Sequence, residues 1–485
     1  MLTEQRKIDG MKRAFSKKNL WENLPQAIKG TIGKVAGLVS PEYLLGKQYR
    51  QWARLVDQAD KWSPDQIKDY QLLQLRKITQ LAYDKSSYYR KCFDEVGFDI
   101  TLQNGFIELE KLPLIDKQVI NKYSSELITV PEDTPGVDYV STGGSSGEPL
   151  RFLIGADRSA IEFAHLASSW FRTGYQLSTP QAVFRGQLIK ADSNGLRHFY
   201  DPLLRRHQYS SFHMDDVSVK RCLTHISSIG PCYLHVYPST MNLIVRYLNR
   251  HGVKPPANIR GLLVGSENVY EQDREAAESL FGLRYYSWYG HSEKLVMAAE
   301  CEHSNSYHVF PTYGYCELVD EQGKVITTPG ESGEIVGTGY INQVMPFIRY
   351  RTGDYATYVG DHCELCGRHQ MILKGIRGHR TLEHLVAKDR SLIPWAAVNV
   401  HDDTFEQVQQ FQFVQFEVGK AILKLVPAGA PGSVNIAKIK ADLAVRLQER
   451  LDFDVEIVDE IKLTARGKSI FVDQNIDIKK IMTEG

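Results

Sequence analysis

No apolar run in the sequence reaches the roughly 20 residues that a membrane-spanning helix needs, which excludes that class of chain. There is no charge excess of either sign. The 58 lysines and arginines equal the 58 aspartates and glutamates, so an overall basic nucleic-acid binder is not expected. The opening residues, MLTEQRK, lack the apolar core of a signal peptide. Cysteine is sparse, with 7 residues in 485, too few and too scattered for a disulfide framework. A reducing, cytoplasmic compartment is therefore expected. Internal repeats and low-complexity tracts are missing. No Walker A pattern occurs, because no Lys-Ser or Lys-Thr follows the one glycine-rich stretch that resembles a phosphate loop.

Most of what remains is ordinary globular material, 42% hydrophobic and 24% charged, long enough for several domains and a large core. The stretch at 141–149, STGGSSGEP, stands out. Its hydroxyls alternate with glycines, and it lies between two extended runs, 137–140 and 150–154. Glycines let a backbone approach a bulky anion, and Thr142, Ser145 and Ser146 offer donors to phosphate oxygens. A flexible hairpin tip is the bland alternative.

Residues 1–60 carry scattered Lys and Arg among apolar residues. This basic arm is either a solvated helical face or a weak membrane-surface contact. From 71 to 93 the apolar spacing predicts one amphipathic helix, and 112–117 (LPLIDK) reads as a turn into a helix N-terminus. A helix is predicted at 159–173. Between 183 and 290 short apolar strands alternate with helices, which predicts an α/β fold with mostly parallel, layered sheets. Ligands in such sheets sit at the carboxyl ends of strands, where Ser266-Glu267 and His291-Ser292-Glu293 fall. A smaller antiparallel region is expected over 334–359, with 347–354 entering a turn. Beyond about 377, strands at 411–417, 421–426 and 454–458 and a helix at 435–451 predict a compact α+β tail. The expected division is a large domain over 1–377 and a small mobile one over 378–485.

Five segments in this order resemble the adenylate-forming superfamily, the acyl-CoA ligases and their relatives. They are 141–149, Gly265-Ser266-Glu267, Tyr289-Gly290-His291-Ser292-Glu293, Tyr350-Arg351-Thr352-Gly353-Asp354 and Arg466-Gly467-Lys468. The wording is closest to the phenylacetate-CoA ligase branch, which includes CapK-type proteins of capsular polysaccharide loci. The resemblance implies ATP-dependent activation of a small carboxylic acid through an acyl-adenylate, with Mg²⁺. Transfer then follows, most simply to CoA, or to a carrier protein or a sugar amine. Retention of AMP on the product, as in an adenylyltransferase, and a non-catalytic nucleotide-binding scaffold are the alternatives. It further implies that Thr142, Gly143, Gly144, Ser145, Ser146 and Gly147 cradle the outer phosphates and that Ser292 lies near the α-phosphate. Glu293 would help hold Mg²⁺, Asp354 would bind the ribose hydroxyls, and Ser266 and Glu267 would line the adenine side with Tyr289, Gly290 and His291. Lys468 would bring positive charge to the reacting centre. A hinge is expected near 378–383 with Arg380 as a ribose or phosphate contact, although Gly367-Arg368 competes for that place. A homodimer is compatible with the family.

Cys363-Glu364-Leu365-Cys366 is a Cys-x-x-Cys knuckle, and Cys301 and His308 lie upstream. Together they have the donor types of a closed structural zinc site, with His303 as an alternative to His308. Cys316 reads as a strand residue, and Cys92, Cys222 and Cys232 as small buried hydrophobes. His235, Tyr237 and Trp288 either wall an acyl pocket or fill the core.

Overall fold

The computed structural model describes residues 39–142, 150–185, 189–202, 204–211, 214, 216–378, 384–394, 398, 403–405, 407–427, 430–461, 472–476, 478 and 481. After a single helical turn at Pro41–Leu44 come two longer helices, α1 (Gly46–Ala59) and α2 (Pro64–Lys85). Ser63 caps α2: its hydroxyl accepts from the Gln66 amide while the Gln66 side chain accepts from the Ser63 amide. The single helix expected over 71–93 is two. The backbone turns extended at Ser86, whose hydroxyl caps α3 (Ser87–Val96). Apolar spacing runs on across that break, so periodicity alone does not reveal it. Asp116 caps the short α4 (Lys117–Lys122), where the turn into a helix was expected.

A hairpin of β1 (Val137–Thr142) and β2 (Leu150–Gly155) follows, with Thr142 paired to Leu150. Helix α5 (Arg158–Phe171) comes next. The chain then lays down β3 (Gln181–Phe184), β4 (His198–Asp201) and β5 (Arg206–Tyr209), and after them α6 (Asp216–Ser228). Strands and helices alternate through β6 (Cys232–Val236), α7 (Pro238–His251), β7 (Ile259–Gly265), α8 (Glu271–Phe281) and β8 (Tyr285–Gly290). Six more strands complete this region: β9 (Met297–Glu300), β10 (Tyr307–Val309), β11 (Gly314–Val319), β12 (Ser332–Gly339), β13 (Tyr350–Gly360) and β14 (Ile372–Arg377).

These strands join in one 12-stranded sheet, ordered β11-β12-β13-β14-β10-β9-β8-β7-β6-β3-β5-β4. Strands β5, β3, β6, β7 and β8 run parallel, and β9 to β14 continue the sheet antiparallel. The α/β expectation is met by this mixed sheet. The segment 350–354 lies inside β13, where register shifts and a left-handed Gly353 (φ 74°) distort a strand.

Side chains of the parallel strands alternate between two cores. Ala182, Phe184, Leu234, Val236, Leu262 and Val264 face α6, α7 and α8. Tyr233, Leu263, Tyr286 and Trp288 face Trp170 of α5. Burial on both faces explains why these strands read as continuous apolar runs. Helix α1 packs on α5, with Tyr49 buried beside Phe163 (ring centroids 5.8 Å). Part of the expected N-terminal arm is therefore integral to the fold; residues 1–38 lie outside the described residues. Helices α2 and α3 cover the antiparallel half.

Past β14 come the pair β15 (His384–Val386) and β16 (Leu392–Pro394), then β17 (Val408–Glu417), β18 (Lys420–Pro427), α9 (Ile436–Leu447), β19 (Asp452–Ile457) and β20 (Val472–Gln474). Strands β19-β18-β17-β20 form a separate four-stranded sheet, whose Phe411, Phe413, Leu423 and Leu425 pack with Ile439, Leu443 and Leu447. No helix among the described residues is long and apolar enough to cross a membrane.

Candidate active site

The parallel strands deliver their following residues to one edge of the sheet, the usual location for ligands in such folds. Arg185 follows β3, Tyr237 follows β6, Ser266 and Glu267 follow β7, and His291, Ser292 and Glu293 follow β8. Gly265 is required by close approach, since a Cβ there would lie 2.7 Å from the Trp288 ring. Ser266 itself is left-handed (φ 75°).

The turn after β8 is tightly specified. The Val296 amide donates to His291 Nε2 (3.2 Å), so the neutral ring carries its proton on Nδ1 and donates it to Glu293 Oε2 (3.0 Å). Lys294, left-handed at φ 60°, reaches Glu162 of α5 at 2.5 Å. Leu295 then presses on β11 and β12; a Cβ at Gly314 would sit 1.9 Å from the Leu295 carbonyl oxygen.

Asp354 is brought to this edge from β13. The Tyr289 hydroxyl donates to Asp354 Oδ2 at 2.7 Å, and the Asp354 amide donates to Thr352 Oγ1 at 3.1 Å. Glu334 accepts from the Gly353 amide (3.0 Å) and from Arg351 Nε (2.8 Å), which holds the distorted part of the strand. Burial, and then the Asp354 carboxylate, push the Tyr289 phenol well above its ordinary range, so it remains a donor. The nearby Tyr350 phenol is raised by burial, then by Glu293, Asp116, Asp354 and Glu334. The Glu293 and Asp354 carboxylates both reach this edge, hard oxygen donors of the kind a magnesium ion takes.

Two further residues carried no sequence motif. Arg185 donates to Ser266 Oγ (2.7 Å), sits 3.1 Å from His235 Nε2, and stacks over Tyr237 at 4.7 Å. Because Arg185 is the donor, Nε2 of His235 accepts; burial, then Arg185, hold this imidazole well below its ordinary range. Among the described residues Arg185 forms no ion pair. Asn268 clasps Gly378, accepting from its amide (2.7 Å) and donating to its carbonyl (3.3 Å). That contact lies at the start of the expected hinge.

The structure brings together Ser266, Tyr289, His291, Glu293 and Asp354, with Gly290 and Ser292 on the same turn and Glu267 beside Ser266. His235 and Trp288 are buried in the aromatic core, with ring centroids 5.0 and 5.5 Å from Trp170. Tyr237 is half-buried under Arg185. Thr142 ends β1, whereas Gly143, Gly144, Ser145, Ser146, Gly147, Arg380 and Lys468 lie outside the described residues.

Away from this edge, Cys301, His308, Cys363 and Cys366 place their donor atoms within 4.8 Å of one another. The Cys301–Cys363 sulfurs are 4.0 Å apart, and Cys366 Sγ lies 3.7 Å from His308 Nε2. A tetrahedral zinc with ordinary bond lengths would set these separations at about 3.8 and about 3.6 Å. Burial pushes the His308 imidazole down to about 4, which keeps it neutral and able to ligate. His303 is not in the set; its amide donates to Cys301 Sγ (3.4 Å). Arg368 pairs with Asp60 (2.8 Å) and Glu302 (2.6 Å) beside the knuckle, which occupies it away from the hinge.

No family model matches the chain. It is 22% identical over 388 residues to protein CapK of Staphylococcus aureus, covering 78% of this chain and 82% of that one. It is 24% identical over 361 residues to a phenylacetate-coenzyme A ligase of Aromatoleum evansii, covering 71% and 80%. Among solved structures it superposes on 2-hydroxyisobutyryl-CoA ligase in complex with 2-HIB-AMP and CoA in the thioesterification state. The TM-score is 0.56 at 18% identity, covering 88% of this chain and 94% of that one. The chain shares the fold of that ligase. Three of the five segments that carry the resemblance, 265–267, 289–293 and 350–354, lie at the site edge; 143–149 and 466–468 lie outside the described residues.

Proposed function

We propose that the protein is an AMP-forming ligase that activates a small carboxylic acid with ATP and passes the acyl group to CoA. The observation that carries the reading is the convergence of Tyr289–Asp354 and His291–Glu293 at the carboxyl ends of parallel strands, beside Ser266. Asp354, held by Tyr289, would accept the ribose hydroxyls. Ser266 and Glu267 would flank the base, and Thr142 with residues 143–147 would contact the outer phosphates. A magnesium ion, when bound, would neutralise phosphate charge; Glu293 would be its protein ligand, oriented by His291 Nδ1–H.

In the first half-reaction a carboxylate oxygen attacks the α-phosphorus, the bond to the bridging oxygen breaks, and pyrophosphate leaves. Both partners are anions, so Lys468 and Arg380 would supply the compensating charge. In the second, the CoA sulfur attacks the acyl carbon, AMP departs with the bonding pair, and the thiol proton passes to solvent. The chain beyond about residue 377 would act as a small domain that changes position between the two halves, with the Asn268–Gly378 clasp at its root. The acid would enter beside Arg185 and Tyr237, where a guanidinium over an aromatic ring suits an acyl group bearing a second polar or anionic substituent. Cys301, His308, Cys363 and Cys366 would hold a structural zinc ion.

The test is acid-dependent ATP–pyrophosphate exchange across an acid panel beginning with phenylacetate, with CoA-dependent AMP release measured separately. Exchange that collapses in Lys468→Ala and Glu293→Gln is expected. Exchange unaltered in both would remove the assignment.

A further inference from the structure

A second cluster of metal-binding side chains lies outside the site and the cysteine knuckle. His198 of β4, His207 of β5 and His225 near the end of α6 place ring nitrogens within 4.8 Å of one another. Strands β4 and β5 pair antiparallel, His198 opposite Tyr209 and Tyr200 opposite His207, which puts all four on one face of the sheet's edge. Helix α6 covers that face and brings His225 over the pair.

We propose that His198, His207 and His225 form a three-histidine site for a divalent first-row transition ion of the zinc or cobalt type, pinning the edge hairpin to α6. Nitrogen is the donor such ions favour, and three imidazoles with an open fourth position are a recurrent set. His198 Nε2 and His207 Nδ1 are 3.1 Å apart. Two nitrogens on one tetrahedral zinc would be about 3.3 Å apart. Ligation requires only that the ring now donating in that pair shift its proton to the other nitrogen. The Tyr209 hydroxyl lies 2.7 Å from His225 Nδ1. With Nδ1 protonated and donating to that oxygen, Nε2 is left with its lone pair, the outer contact by which metal-binding histidines are oriented. Ring stacking alone would account for the 5.3 Å parallel contact of His198 with His207, but not for the convergence of nitrogens from three elements.

The experiment titrates Co²⁺ into chelator-stripped full-length protein and reads d–d absorption separately from thiolate-to-metal charge transfer. The separation keeps the histidine site independent of the cysteine cluster. The expected result is a bound equivalent of Co²⁺ whose d–d bands come without a thiolate band. His207→Phe, which preserves an aromatic ring, abolishes that equivalent and leaves any thiolate-linked signal unchanged. Tyr209→Phe weakens it about 10-fold. If wild-type protein shows no thiolate-free Co²⁺, or if folded His207→Phe binds it as wild type does, the site does not exist.

Discussion

Replacing Tyr289 with phenylalanine removes one oxygen and tests whether Asp354 is a positioned ribose acceptor. The hydroxyl donates to Asp354 Oδ2 at 2.7 Å, and a hydrogen bond to a charged acceptor contributes about 1.5–3 kcal/mol. Asp354 is half-buried rather than enclosed, so water recovers part of the loss and the lower end applies. A cost of about 1.4 kcal/mol is tenfold in affinity. The expected outcome is a KM for ATP raised about 10-fold in the exchange assay, by that conversion, with the KM for the acid unchanged. Direct titration with ATP should show the same loss, and the thermal midpoint should stay close to wild type, because the phenyl ring keeps its packing. An unchanged ATP affinity in a folded Tyr289→Phe protein would show that this bond does not serve nucleotide binding.

Arg185→Met keeps the stacking volume over Tyr237 but removes the charge. The KM for a doubly polar acid should rise at least about 10-fold, on the charged hydrogen-bond scale, while ATP binding is retained; equal loss for both substrates would move Arg185 to the nucleotide side. Chelation should lower the thermal midpoint of wild type more than that of Cys363→Ser/Cys366→Ser, since metal at a hundredfold over its Kd contributes about 2.7 kcal/mol by linkage. Glu108 is buried and held below its ordinary 4.5, first by the Lys111 ammonium at 2.6 Å and next by the Asp99 amide. A depressed carboxyl stabilises the fold above its unfolded value and loses that contribution as pH falls through the folded value. Acid denaturation curves should therefore be flatter below pH 4.5 in Glu108→Gln, and superimposable curves would refute the assignment.

Much of this arrangement was legible because parallel strands buried on both faces have an unambiguous pattern. The alternation of strands and helices over 183–290 was legible, and Ser266-Glu267 and His291-Ser292-Glu293 were placed at the carboxyl ends of strands, where they follow β7 and β8. Local chemistry was harder. The Ser86 break hides in an unbroken apolar period, and the Gly353-Asp354 turn proved to be a distortion within β13, because glycine signals left-handed backbone without saying what surrounds it. Arg185 and Asn268 were missed because each is a single polar residue without a motif; only the strand-end position makes it matter. The histidine trio could not be seen in sequence, since pairing of β4 with β5 and the return of α6 bring its members together. The cysteine set was visible from spacing, and the choice between His303 and His308 needed the antiparallel turn from β9 into β10.

The central claim is that the organic acid attacks the α-phosphorus of ATP. It is tested most directly with an acid that supports exchange, labelled with ¹⁸O in its carboxylate, by weighing the AMP released when CoA is added. The account predicts AMP carrying one ¹⁸O atom. Unlabelled AMP, or label found instead in inorganic phosphate alongside ADP, would contradict it.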